Sequence, residues 1–111
     1  MAGALTTHVL DTSIGKPAAQ VKIDLWKIDS GRRCLLGSFE TNQNGRIDHP
    51  LLEGKDFTEG VYELVFYVGM YFGEVAFLDK VPIQFHVIDQ KEHYHIPLLI
   101  APGGYSTYRG S

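Results

Sequence analysis

The sequence holds one cysteine, Cys34, among 111 residues. A lone thiol excludes an internal disulfide, cannot build a zinc site by itself, and suits a reducing compartment. Apolar runs stay far below the roughly 20 residues that span a bilayer. The start, Met1 to His8, has no basic stretch leading into an apolar one, so no secretory signal is expected, and the end is not a peroxisomal Ser-Lys-Leu. There is no block of like charge either. Ten Lys and Arg against thirteen Asp and Glu give a net charge of −3, which argues against nucleic acid and anionic membrane as partners. A Gly-rich phosphate loop, a Cys-x-x-Cys pair and a serine-hydrolase elbow are all missing, so no cofactor is called for. Repeats, low-complexity segments and long helical patterns are missing as well. These absences predict one cytoplasmic domain spanning residues 1–111.

What the chain does have is strand alternation. Leu5 to Asp11 sets Leu5, Thr7 and Val9 against Thr6, His8 and Leu10. Gln20 to Ile28 turns Val21, Ile23 and Leu25 inward, with Lys22, Asp24 and Trp26 outward. Ser30-Gly31-Arg32 turns the chain into a partner strand, Arg33 to Thr41, and Asn42-Gln43-Asn44-Gly45 is a second turn leading to Arg46-Ile47-Asp48. Pro50 to Gly60 reads as loop. Val61 to Val68 and Val81 to Ile88 are further strands, rich in Val, Tyr, Phe and Ile. Between them, Tyr71, Phe72, Val75 and Ala76 have the spacing of a helix of one or two turns within 69–80. Seven or eight short strands with frequent turns predict an all-β sandwich.

The closing stretch is a hairpin. One arm runs to Ile100, Pro102-Gly103-Gly104 turns it, and a second arm returns to Ser111. Tyr94, Ile96, Leu98 and Ile100 form a core face, while His93, His95, Pro97 and Leu99 point the other way. A solvated face would carry Lys and Glu. Imidazole set among Pro and Leu, with His8 beside Leu10 on the first strand, instead indicates an interface or a pocket wall. His93 and His95, about 7 Å apart along one strand face, have zinc-chelating spacing but no third ligand of assigned position, so no metal site is expected. His86 reads as solvated, and His49 has no evident partner.

Thr7-His8-Val9-Leu10-Asp11, Gly45-Arg46-Ile47, Tyr94-His95-Ile96-Pro97-Leu98-Leu99 and the final Tyr108-Arg109-Gly110-Ser111 together resemble the 5-hydroxyisourate hydrolases, transthyretin-like enzymes of urate degradation. The resemblance covers essentially the whole chain, and the final tetrapeptide is its most specific part. It implies a transthyretin-like (prealbumin-like) sandwich of two four-stranded sheets with one short helix. It also implies a homotetramer with active sites in a channel where two dimers meet. Carried over by position, His8, Arg46, His95, Tyr108 and Ser111 match the family's active-site residues. The implied reaction converts 5-hydroxyisourate to 2-oxo-4-hydroxy-4-carboxy-5-ureidoimidazoline without metal or cofactor. Histidines would activate water and move protons, the Arg46 fork would stabilise the oxyanion, and Tyr108 and Ser111 would position the substrate. The competing reading is a non-catalytic transthyretin-like carrier of small aromatic ligands. Histidine at both channel-facing positions and Arg46 speak against it. An extracellular adhesion or carbohydrate-binding module fits the missing disulfides less well still.

Overall fold

A computed structural model describes residues 2–73 and 77–111. It contains β1 (Ala4–Asp11), β2 (Lys16–Pro17), β3 (Lys22–Asp29), β4 (Arg32–Glu40), β5 (Leu52–Glu53), β6 (Gly60–Tyr67), α1 (Val68–Phe72), β7 (Lys80–Val87), β8 (His93–Ala101) and β9 (Gly104–Thr107). They form two sheets. One runs β4-β3-β6-β7, antiparallel throughout, and the other runs β2-β1-β8-β9 with β5 also paired to β1. The second sheet therefore has five strands where four were expected, because two-residue segments of the first turn and of the 50–60 loop pair along β1.

Alternation sorts the strands as their patterns predict. Leu5 and Val9 from β1, Ile23 and Leu25 from β3, Leu64 and Phe66 from β6, and Leu98 and Ile100 from β8 are all fully buried between the sheets. Each such side chain contributes about 1.5–3 kcal/mol by leaving water. Thr7 lies on the same inward face, and its hydroxyl donates to the Ile96 carbonyl at 2.7 Å, so its burial leaves no polar atom unmet.

The helix is a single short one, as expected, and starts one residue before the 69–80 stretch. Val68 is fully buried and opens α1, and Gly73 ends it at φ +77, so the expected continuation to Val75 and Ala76 falls outside the described residues. Five residues do not hold a helix by themselves. Tyr71 anchors this one, its hydroxyl donating to Asp11 Oδ2 at 2.8 Å at the end of β1. Burial, that hydrogen bond and the Asp11 charge push the Tyr71 phenol up to about 12. None of the described helices is long and apolar enough to cross a membrane.

The strand pair that matters most for chemistry is β1 with β8. They run parallel in unbroken register, Thr6 opposite His95, His8 opposite Pro97 and Leu10 opposite Leu99. This sets the outward residues of two segments nearly ninety positions apart into one surface.

Candidate active site

That outward surface forms one wall of a pocket of about 360 Å³, lined by residues that include Thr6, Arg46, Ile47, His93, His95 and Ser111. Thr6 is central to the wall. Its Oγ1 lies 2.8 Å from His93 Nε2 and 2.8 Å from His95 Nδ1. His95 Nε2 makes no hydrogen bond among the described residues.

The second wall is the turn before Arg46. Asn42 Oδ1 accepts from the Asn44 and Arg46 amides at 2.9 and 3.1 Å, and its Nδ2 donates to Asp48 Oδ1 at 2.8 Å, so one side chain knots the loop. The knot docks on β1 through the Val9 amide, which donates to the Gly45 carbonyl at 2.8 Å. Gly45 has φ +74, and a Cβ there would collide with the Val9 carbonyl, so only glycine permits this approach. His8 completes the dock, its Nε2–H donating to the Asn44 carbonyl at 2.9 Å. That bond fixes the tautomer and leaves Nδ1 as the free nitrogen of neutral His8.

The third wall is the end of the chain. After β9 the tail resumes strand pairing, and the Gly110 amide donates to the His95 carbonyl at 2.7 Å. A Cβ at position 110 would sit 2.5 Å from His95 Cδ2, so glycine lets the backbone lie against the imidazole. Arg109 pins the tail. Its guanidinium stacks 4.1 Å from the Tyr94 ring centre and donates to Glu92 Oε1 at 3.1 Å and to the His93 carbonyl at 3.2 Å.

Electrostatics follow from this packing. Arg46 has no carboxylate within ion-pair distance among the described residues. Burial, then the Arg46 charge, hold His8 below the usual histidine range, with the bond to Asn44 opposing them. Burial, Arg46, His93 and His8 likewise lower His95. Both imidazoles are therefore neutral at neutral pH, available as bases, beside an uncompensated cation. Such a site can take a proton from water and hold negative charge on an oxygen.

Of the residues expected here, Arg46, His95 and Ser111 line the pocket together. His8 adjoins it through its bridge to Arg46. Tyr108 stands apart, 61% exposed and outside the lining. The continued register of β9 puts it on the outward face of His8 and His95. Thr6, His93, Gly110 and the Asn42 knot were not expected as site residues. Alternation alone put Thr6 on the His8 face, and only the β1–β8 register shows what it touches. Among the described residues no group of three His, Cys, Asp or Glu side chains is placed to hold a metal ion, and His93 and His95 each lie 2.8 Å from the Thr6 hydroxyl.

Residues 5–110 match the profile of the HIUase/Transthyretin family. The chain is 53% identical to 5-hydroxyisourate hydrolase of Halalkalibacterium halodurans over 100% of both chains. Among solved structures it resembles Klebsiella pneumoniae 5-hydroxyisourate hydrolase, with a TM-score of 0.83 and 37% identity, covering 98% of this chain and 94% of that one. It also superposes on sea bream transthyretin in complex with thyroxine, with a TM-score of 0.88 over 96% of this chain and 94% of that one. The identity there is 24%, a likeness of fold alone.

Proposed function

The chain belongs to the HIUase/Transthyretin family, and from that premise we infer that it is an enzyme hydrolysing 5-hydroxyisourate. The observation that carries the reading is one pocket holding Arg46, His95 and Ser111, with His8 docked beside Arg46. A carrier of apolar ligands has no need of two neutral imidazoles next to a free guanidinium.

The reaction adds water across an acyl C–N bond of the oxidised purine ring. Oxygen bonds to the carbonyl carbon, the C–N bond breaks, and the departing nitrogen takes a proton, giving 2-oxo-4-hydroxy-4-carboxy-5-ureidoimidazoline. His95 and His8 move the protons, through the nitrogens that their partners leave free, Nε2 of His95 and Nδ1 of His8. Arg46, always charged and planar, binds the carbonyl-rich ring and offsets the charge growing on the attacked oxygen. Ser111, held in the pocket by the Gly110–His95 pairing, orients substrate or water. Tyr108, on the outward face of His8 and His95, helps to orient the substrate.

A homotetramer with sites where two dimers meet accounts for Leu10 and Leu99 lying part-exposed beside His8 and His95. Sedimentation at micromolar concentration then gives a tetramer, and a stable, active monomer removes the shared-channel site. The exposed thiol of Cys34 suits a reducing cytoplasm. The direct test adds the protein to urate oxidase turning over urate and follows the near-ultraviolet intermediate. Its decay should accelerate in proportion to added protein. An unchanged decay rate would overturn the assignment.

A further inference from the structure

We propose that Thr6 and His93 are positioning residues that govern the proton on His95, shuttling charge between the pocket and the exposed imidazole of His93. The inference rests on His95 acting on the substrate as set out above, and it extends the site by two residues.

One hydroxyl carries one proton. Thr6 Oγ1 sits 2.8 Å from a nitrogen of each ring and can donate to only one of them at a time, so when it donates to one ring it accepts from the N–H of the other. The protonation of the two rings is therefore linked. When His95 carries hydrogen on Nδ1, Thr6 donates to His93 Nε2, and neutral His95 turns a bare Nε2 toward the pocket. That is the base. When His93 carries hydrogen on Nε2, Thr6 donates to His95 Nδ1, and neutral His95 holds its proton on Nε2. That is the acid.

The cycle balances. Attacking water gives a proton to His95 Nε2 as its oxygen bonds to carbon. The Nδ1 proton passes to Thr6 Oγ1 while the Thr6 proton passes to His93 Nε2, moving the positive charge out to His93. When the C–N bond breaks, the ring nitrogen takes the Nε2 proton and the relay runs back, restoring His95 with hydrogen on Nδ1. No proton is gained or lost at the three groups over the cycle. The shift has an electrostatic reason. Thr6 and His8 from β1, Arg46 from its loop and Ser111 from the tail surround His95, and an imidazolium there would face the Arg46 cation. His93 is exposed, with Arg109 bonded to its carbonyl and Glu92 next to it, so water and a carboxylate are at hand for the charge.

The test compares Thr6→Val, Thr6→Ser, His93→Gln and His95→Ala in the intact chain, with kcat and KM measured in the urate-coupled assay from pH 5 to 9. Thr6→Val should lower kcat about 10-fold, part of the 10²–10⁴-fold that acid–base catalysis supplies, with KM within about twofold. Thr6→Ser keeps the hydroxyl and should stay within about threefold of the parent. His93→Gln keeps a hydrogen bond to Thr6 but cannot take the charge, so kcat should fall and free imidazole in the buffer should restore part of it. Equal losses in Thr6→Val and Thr6→Ser would mean packing alone and overturn the relay. So would a His93→Gln enzyme with the parent's kcat and pH profile. If Thr6→Val does not fold, Thr6→Ser and His93→Gln still decide. Full activity in His95→Ala would sink the reading of the site itself, whereas an inactive His95→Ala beside a fully active Thr6→Val would sink only the relay.

Discussion

The two sheets present outward faces of opposite character. On β4-β3-β6-β7 the polar groups bond to one another within the sheet: Arg33 Nη2 meets Glu63 Oε2 at 2.7 Å, Gln84 Nε2 donates to Glu63 Oε1 at 3.3 Å, and Asp24 accepts from Tyr67 and Ser38, both at 2.7 Å. His86 stands there exposed. On the β1–β8 face the cation Arg46 has no carboxylate within ion-pair distance among the described residues, an exposed and a half-buried imidazole share a threonine, and the chain's own end folds over them. Both faces alternate with a packed core, so the fold makes the same demand on each. The difference lies in what is left unpaired. A face whose polar groups satisfy one another is finished, whereas one that sets a cation without a carboxylate among the described residues beside two imidazoles still offers charge and bases to a ligand.

The largest effect should come from exchanging the two kinds of histidine. His95→Ala should cost about 10²–10⁴-fold in kcat/KM, and His8→Ala a loss in the same range, as expected for groups that move protons. His86→Ala should change activity by less than about twofold. Equal losses at positions 86 and 95 would erase the contrast between the faces. Next come Arg46→Lys and the tail. Arg46→Lys keeps the charge without the fork and should cost about 10²-fold. Removing Tyr108 to Ser111 takes away the Gly110 pairing and the Arg109 anchor as well as Ser111, so activity should fall at least about 10²-fold, since misplacement of about 1 Å can cost that much. The truncated chain should keep a β-rich circular dichroism spectrum, because the buried set from Leu5 to Ile100 stays whole. An active truncated protein would remove the tail from the site.

A smaller effect separates the faces by pH. His8 and His95 are held below their ordinary values, so they stay neutral, and active as bases, at pH values where a solvated histidine of pKa about 6.5 is already charged. The acid limb of kcat should therefore have its midpoint below about 6.5, and a midpoint above it would contradict neutral, packed imidazoles. Stability carries the same sign. The unfolded chain protonates these histidines more readily, so stability is full above their unfolded value and declines as pH falls through it. Asp11 adds a second loss lower down. Burial works to raise it, but hydrogen bonds from Ser13 and Tyr71 and from the Ser13 and Ile14 amides win and hold it below the usual range. Its contribution is present above the unfolded carboxylate value and lost as pH falls through the folded one.

Much of this was legible along the chain because strand alternation is a local property. The inward set of β8 and the odd company of His8 and His95 follow from period two alone, and the resemblance carried by the final tetrapeptide singled out Ser111, which lines the pocket. Pairing across long separations was not legible. Thr6 looked like any outward threonine until the parallel register placed it opposite His95. Arg109 was read only as a member of the final tetrapeptide, and its stacking on Tyr94 depends on the tail turning back along β8. The helix, expected within 69–80, begins one residue sooner, since Val68 reads as the last residue of a strand pattern and is buried either way. The extra pairing by Leu52–Glu53 was hidden because two residues carry no period.

The smallest effect tests whether the finished face is really independent of the active one. Arg33 is half exposed, with 48% of its side chain accessible, against 15% for Glu63. An ion pair that wet is worth about 0.2–1 kcal/mol, and salt weakens it further. Arg33 also lies 4.3 Å from the Trp26 ring centre, a contact worth about 0.5–1 kcal/mol at an exposed site. Glu63→Gln breaks the pair but keeps the stack, while Arg33→Ala loses both. Thermal unfolding should therefore rank the parent above Glu63→Gln and Glu63→Gln above Arg33→Ala, all within about 2 kcal/mol. Raising the salt concentration should narrow the gap between the parent and Glu63→Gln, but not the gap between the two variants. Hydroxyisourate hydrolysis should be unchanged in both, because the fully buried layer of Ile23, Leu25, Leu64 and Leu98 separates this pair from the pocket. A tenfold loss in either variant would mean that strain crosses the sandwich, and that the charged face helps to shape the histidine face from behind.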